Sequence, residues 1–148
     1  MSCRPLSLIA PLRAARSLRE ASVREALAAA RTCYDHLAGR LGVRLTDALV
    51  AEGLLGRNGE AFNLTGKGRS RFAAFGIDIA TLDRSPRPLT RACLHWTERR
   101  HHLAGALGAA LTAELFERGW LVRSGRRRTV ALTPAGQVGL IDEFGFDA

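Results

Sequence analysis

Lysine is almost missing from this 148-residue chain: Lys67 is the only one among 22 basic residues. Aromatics are scarce as well, at 6% of the chain, with one Tyr and two Trp. No stretch approaches the roughly 18 consecutive apolar residues of a membrane-spanning helix. The opening apolar run reaches only from Leu6 to Ala10 before Pro11 and Arg13 interrupt it, too short for a secretory leader. Three cysteines, Cys3, Cys33 and Cys93, cannot all pair, which excludes a dense disulfide scaffold. These absences point to a cytoplasmic chain with reduced thiols and no membrane partner. Catalytic signatures are missing too: there is no P-loop, no GxGxxG after a strand, no HExxH and no GxSxG. Gly66-Lys67-Gly68 reads as a helix start, not as a phosphate cradle, and no enzyme is expected.

What is present is an ordinary globular balance, 47% hydrophobic and 24% charged, enough for one core or two very small ones. The net charge of +8 and a sequence pI near 11.1 suggest a polyanionic partner. Part of that pI reflects arginine standing where other chains use lysine. The basic excess sits at the two ends. Residues 1–40 carry seven Arg against three acids, residues 41–83 balance at five each, and residues 84–148 carry ten against six. A solvated surface and a nucleic-acid face both fit this distribution.

An internal repeat organises the chain. His36-Leu37-Ala38-Gly39-Arg40-Leu41-Gly42 recurs as His102-Leu103-Ala104-Gly105-Ala106-Leu107-Gly108, and Phe75-Gly76-Ile77-Asp78 recurs as Phe144-Gly145-Phe146-Asp147. In the first unit the stripe Val23, Leu27, Ala30, Tyr34, Leu37, Leu41 predicts a helix, begun by the capping box Ser17–Glu20. A second helix, Leu45–Glu52, stops at Gly53, and Asn58-Gly59 sits between two short strands. Thr65 caps a last helix ending near Gly76. The second unit repeats the pattern, with a helix over Leu103–Arg118, strands Trp120–Arg123 and Thr129–Leu132, and Thr133-Pro134 opening a helix. The predicted fold is mainly α with short β-hairpins, as tandem duplicated winged-helix-like units. The expected division is an N-terminal extension (1–16), unit 1 (17–80), a proline-containing linker (81–90) and unit 2 (91–148).

Two groups of residues carry chemistry. On the predicted first helix, Cys33 and His36 stand three apart on one side, while Cys93, His95 and His102 gather in the second unit. Thiolate with imidazole suits Zn²⁺ or another thiophilic ion, although all five also fit structural packing. Cys93 and His95, two apart, point away from each other on a helix. Arg123, Arg126, Arg127 and Arg128 cluster at the second hairpin and offer phosphate contacts. The helix before that hairpin presents Ala106, Ala109, Ala110, Ala113 and Glu114, a poor surface for reading base edges. Tyr34 and Trp96 suit either a core or the lining of an apolar pocket.

Ser17–Ser22, the run Ala30-Arg31-Thr32-Cys33-Tyr34-Asp35-His36-Leu37-Ala38-Gly39, Cys93–Arg100 and Leu132-Thr133-Pro134-Ala135-Gly136 resemble a group of ArsR-type transcriptional regulators, over about residues 17–145. The resemblance implies a regulator whose DNA-reading winged helix lies N-terminal to this region. Since residues 1–15 show no helix-turn-helix, operator reading is expected outside this chain, whether by truncation, a late start codon or a stand-alone gene. The expected role is effector sensing and dimerisation in a homodimer, with a small-molecule effector at Cys33, Tyr34, His36, Cys93 and Trp96 and no cofactor. The alternatives are direct DNA binding through the second wing, and a metal or thiol sensor using Cys33, His36, Cys93, His95 and His102.

Overall fold

The computed structural model describes residues 29–95, 100–125 and 128–146. One order of elements runs through it twice. The first half is β1 (Arg31–Cys33), β2 (His36–Ala38), α1 (Gly39–Ala51), β3 (Leu55–Asn58), β4 (Ala61–Leu64) and α2 (Gly66–Phe75). A short helix α3 (Ile79–Asp83) leads on to β5 (Arg91–His95), β6 (Arg100–Ala104), α4 (Gly105–Glu117), β7 (Leu121–Arg123), β8 (Val130–Leu132) and α5 (Pro134–Phe144). The strands pair as four separate antiparallel hairpins, β1–β2, β3–β4, β5–β6 and β7–β8. None of the helices among the described residues is long and apolar enough to cross a membrane.

This corrects the expected fold class. Five helices and eight strands make the described residues a mixed α and β structure, not mainly α. Among the described residues a β-hairpin, β1–β2 or β5–β6, leads directly into α1 and into α4, where a winged-helix order requires a helix. The segment read as one amphipathic helix through Tyr34 and Leu41 is β1, a turn and β2, followed by α1. The reason lies in length and burial. Strands of three residues hold too few side chains to display a period of two, and all three residues of β2 are buried. Tyr34, placed on the core stripe by helical spacing, sits on the turn and is 85% exposed. The residues expected to start that helix, Ser17–Glu20, Val23 and Leu27, lie outside the described residues.

Gly39 (φ +78°) and Gly105 (φ +79°) turn the chain from each hairpin into its helix with left-handed backbone that a Cβ disfavours. One turn on, Gly42 and Gly108 let α1 and α4 close down on the preceding strand. A Cβ on Gly42 would stand 2.6 Å from the Leu37 carbonyl oxygen, and one on Gly108 would stand 3.0 Å from that of Leu103. The linker supplies acceptors to the start of α4: Ala106 N–H donates to Pro88 O (2.9 Å) and Leu107 N–H to Leu89 O (2.8 Å).

The two halves share one core and complete each other's hydrogen bonding. Helix α4 packs on β2 and α1 packs on β6, so each helix covers the other half's hairpin. In α1, Thr46 Oγ1 donates to Gly42 O and accepts the Leu103 N–H at 2.9 Å. In α4, Thr112 Oγ1 donates to Gly108 O and accepts the Leu37 N–H at 2.9 Å. All four groups are buried. Leu45, Leu49, Leu107, Leu111 and Leu115 fill the space around them. Farther along, Phe72 and Phe75 of α2 meet Phe144 of α5 with ring centres 5.7 and 5.1 Å apart. The Arg118 guanidinium lies 3.8 Å over the Phe75 ring.

Candidate functional site

The hairpins β1–β2 and β5–β6 meet where β2 lies against β6. In β1–β2 the cross-strand partner of Cys33 is His36, and in β5–β6 the partner of Cys93 is His102. Residues directly opposite on antiparallel strands project from the same face, so each hairpin presents one thiol beside one imidazole. The seam brings both pairs together. Donor atoms of Cys33, His36 and Cys93 all lie within 4.8 Å of one another. His36 Nε2 stands 3.1 Å from His102 Nε2. Both rings are buried, His36 at 6% and His102 at 1% exposure, while the two free cysteines are half-buried.

The turn of β1–β2 is Tyr34-Asp35, with Tyr34 at φ +60°, the one non-glycine residue with positive φ among those described. Holding a tyrosine there costs roughly 1–2 kcal/mol. Asp35 reaches back toward the His36 ring, Oδ1 to Nδ1 3.6 Å, and accepts from Arg87 Nη1 at 2.7 Å. Burial pushes the Asp35 carboxyl up, but the hydrogen bond and charge of Arg87, with the nearby His36 adding to them, outweigh it and hold it below its ordinary value. Burial lowers the His36 pKa and outweighs the opposing pull of Asp35, so at neutral pH the ring is an uncharged lone-pair donor. Burial also raises the Cys93 thiol, reinforced by the neighbouring Cys33. A cavity of about 400 Å³, lined by Tyr34, Asp35, His36, Arg87, Arg91 and Cys93 among others, opens onto this cluster.

Of the expected effector residues, Cys33, Tyr34, His36 and Cys93 therefore come together, while Trp96 lies outside the described residues. The cross-strand partner of Cys93 is His102, and His95 pairs instead with Arg100 at the far end of the ladder. The expected Cys33–His36 adjacency holds, but across a hairpin turn and not along a helix. Asp35, Arg87 and Arg91 do not stand out in the sequence as site residues. Arg87 lies between Pro86 and Pro88, and that double proline is the available sign of a residue held in place.

The phosphate candidates fare differently. Arg123 folds back, with Nη1 donating to Thr32 Oγ1 at 3.1 Å and its guanidinium 4.7 Å over the Phe116 ring. Arg128 is exposed, and its carbonyl accepts the Thr32 N–H at 3.0 Å. Arg126 and Arg127 lie outside the described residues. On α4, Ala106 is buried and Ala109 and Ala110 are half-buried; of the alanines expected to face outward, Ala113 is the exposed one.

No protein-family model matches the chain, and no solved structure matches it. Over 130 residues it is 40% identical to a Bacillus subtilis (strain 168) protein named "Uncharacterized HTH-type transcriptional regulator YdfF". That match takes in 88% of this chain and 58% of the YdfF protein, so the chain spans somewhat more than half of its relative's length. By sequence, then, the chain is related to a bacterial transcriptional regulator.

Proposed function

We propose that this chain is the effector-sensing and dimerisation part of an ArsR-like transcriptional regulator that acts on DNA through a helix-turn-helix carried elsewhere in the regulator. The observation that carries this reading is the seam between the two hairpins. Two Cys–His pairs far apart in sequence converge there at the mouth of a cavity, in a chain related to a named regulator. An effector at the seam touches both halves at once. Occupancy then biases how α1 and α4 sit on the hairpins they cover, and a signal needs such an element. The homodimer in this reading is supported by Val138 and Ile141, exposed at 61% and 47% and three residues apart on α5.

The test replaces the chromosomal gene with one encoding Cys33→Ser and Cys93→Ser, followed by transcript profiling against the parent strain. A small, coherent set of transcripts should change several-fold. An unchanged transcriptome with normal levels of the protein overturns the reading. Fluorescence anisotropy with labelled non-cognate duplex supplies the second arm. This chain is expected to show no tight, salt-dependent binding at about 50 mM salt, because phosphate neutralisation is not its role. Tight binding that weakens steeply toward about 200 mM moves the DNA contact into this chain and onto its basic wing.

A further inference from the structure

We infer that Cys33, Cys93, His36 and His102 form a four-donor site for a thiophilic divalent metal ion, with Zn²⁺ the ion that this donor set suits best. The inference rests on reading the seam as the effector site, and it names the chemical class of the effector. The donors are two thiolates and two imidazoles, a tetrahedral set for a borderline-soft ion. A tetrahedral ion with metal–nitrogen bonds of about 2.0–2.1 Å separates its two nitrogens by about 3.3 Å, and the two Nε2 atoms already stand 3.1 Å apart. The thiolates of such a site are about 3.8 Å apart. The Cys33, His36 and Cys93 donors already lie inside 4.8 Å of one another, and a sulfur and a nitrogen of such a site are about 3.6 Å apart, so these three close with a contraction of about 1.3 Å at most; His102 joins them through its Nε2, beside that of His36.

The surroundings fit the same purpose. Asp35 stands behind His36 on its Nδ1 side, a carboxylate–imidazole arrangement that leaves Nε2 to face the ion. The cavity beside Tyr34 and Arg87 gives the ion a way in. Binding releases the two thiol protons to solvent, and two thiolates then neutralise a divalent charge at a half-buried place. Oxidation of the two thiols to a disulfide would use the cysteines alone and leave the meeting of two buried imidazoles at the same point unexplained.

The experiment titrates Co²⁺ into the reduced, chelator-stripped 148-residue chain under anaerobic conditions, read by absorbance. The expected result is a thiolate-to-cobalt charge-transfer band and intense tetrahedral d–d bands, saturating at one equivalent and abolished by one equivalent of Zn²⁺. Cys33→Ser and Cys93→Ser should each remove about half of the charge-transfer intensity, since each supplies one of two thiolates. Cys33→His keeps four donors and should retain the tetrahedral d–d bands, which guards against a serine variant that fails to fold. Asp35→Asn should weaken affinity about 10–100-fold. A folded, reduced wild-type chain without the charge-transfer band overturns the site, as does a band of undiminished intensity in both folded serine variants. Neither readout depends on transcription. Changed transcripts without cobalt bands would leave the regulator reading standing with a non-metal effector, and cobalt bands with an unchanged transcriptome would do the reverse.

Discussion

In the first half of the molecule, three positions separate the cysteine from its partner histidine, Cys33 to His36 across a two-residue turn; in the second half nine do, Cys93 to His102. The histidines keep the repeat's spacing of 66 residues and the cysteines are 60 apart, yet both pairs occupy the same place in their ladders. The second hairpin absorbs the extra residues by extending its ladder outward through Leu94–His101 and His95–Arg100. What the two halves hold in common is therefore cross-strand register, and register decides which thiol meets which imidazole. A comparison at fixed offset pairs the histidines and misses the cysteines.

The halves also differ in how tightly helix and strand approach, and this yields the largest expected effect. Gly42→Ala should destabilise the fold by about 2–3 kcal/mol, against about 1 kcal/mol for Gly108→Ala, because the Leu37 carbonyl leaves less room than that of Leu103. Chemical denaturation of the two variants checks the order; equal losses would mean that the halves pack alike. Next come Thr46→Val and Thr112→Val, each leaving a buried leucine N–H without its acceptor. Both should cost about 1–3 kcal/mol and cost the same, in contrast to the glycine pair.

Smaller effects belong to the helix caps. Thr65 and Thr133 each accept a glycine N–H, from Gly68 and Gly136, and donate back to Gly53 and Gly119 carbonyls. Replacement of either by Ala should lower stability by about 1 kcal/mol. The smallest change belongs to the turn of the first hairpin. Tyr34→Gly relieves the left-handed turn and should raise stability by roughly 0.5–1 kcal/mol. No gain in the melting temperature would show that the exposed tyrosine ring holds the turn by contacts that offset its strain.

The cap threonines are legible in the amino-acid sequence alone, and so are the hairpins β3–β4 and β7–β8. Their signals are local: Thr65 or Thr133 at an N-cap, Gly53 and Gly119 behind a helix, Asn58-Gly59 between apolar runs. The hairpins that make the site are not legible in that way. Ala30, Leu37 and Leu41 are buried or half-buried, so their helical spacing is a faithful record of burial, but the backbone between them reverses direction at Tyr34-Asp35. Short, buried strands take their identity from tertiary contacts, and β1 is held partly by Val130 N–H to Ala30 O and Thr32 N–H to Arg128 O, from the far end of the chain. The candidate site is legible in its residue types, Cys33, His36, Cys93 and His102, and illegible in its pairing, because cross-strand register is not written in sequence spacing.

The exchanged threonine bonds also set a timetable for synthesis. The Leu103 N–H bonds a threonine 57 residues earlier, and the Leu37 N–H bonds one 75 residues later. As the chain leaves the ribosome, β2 is made long before the helix that covers it, and the first half has to wait with its Leu37 donor and apolar faces open. Long-range closure of this kind slows folding and lengthens exposure to other nascent chains. The first half therefore stays incompletely covered until the second is translated, and the seam where the cysteines and histidines meet cannot form before β6 has left the ribosome.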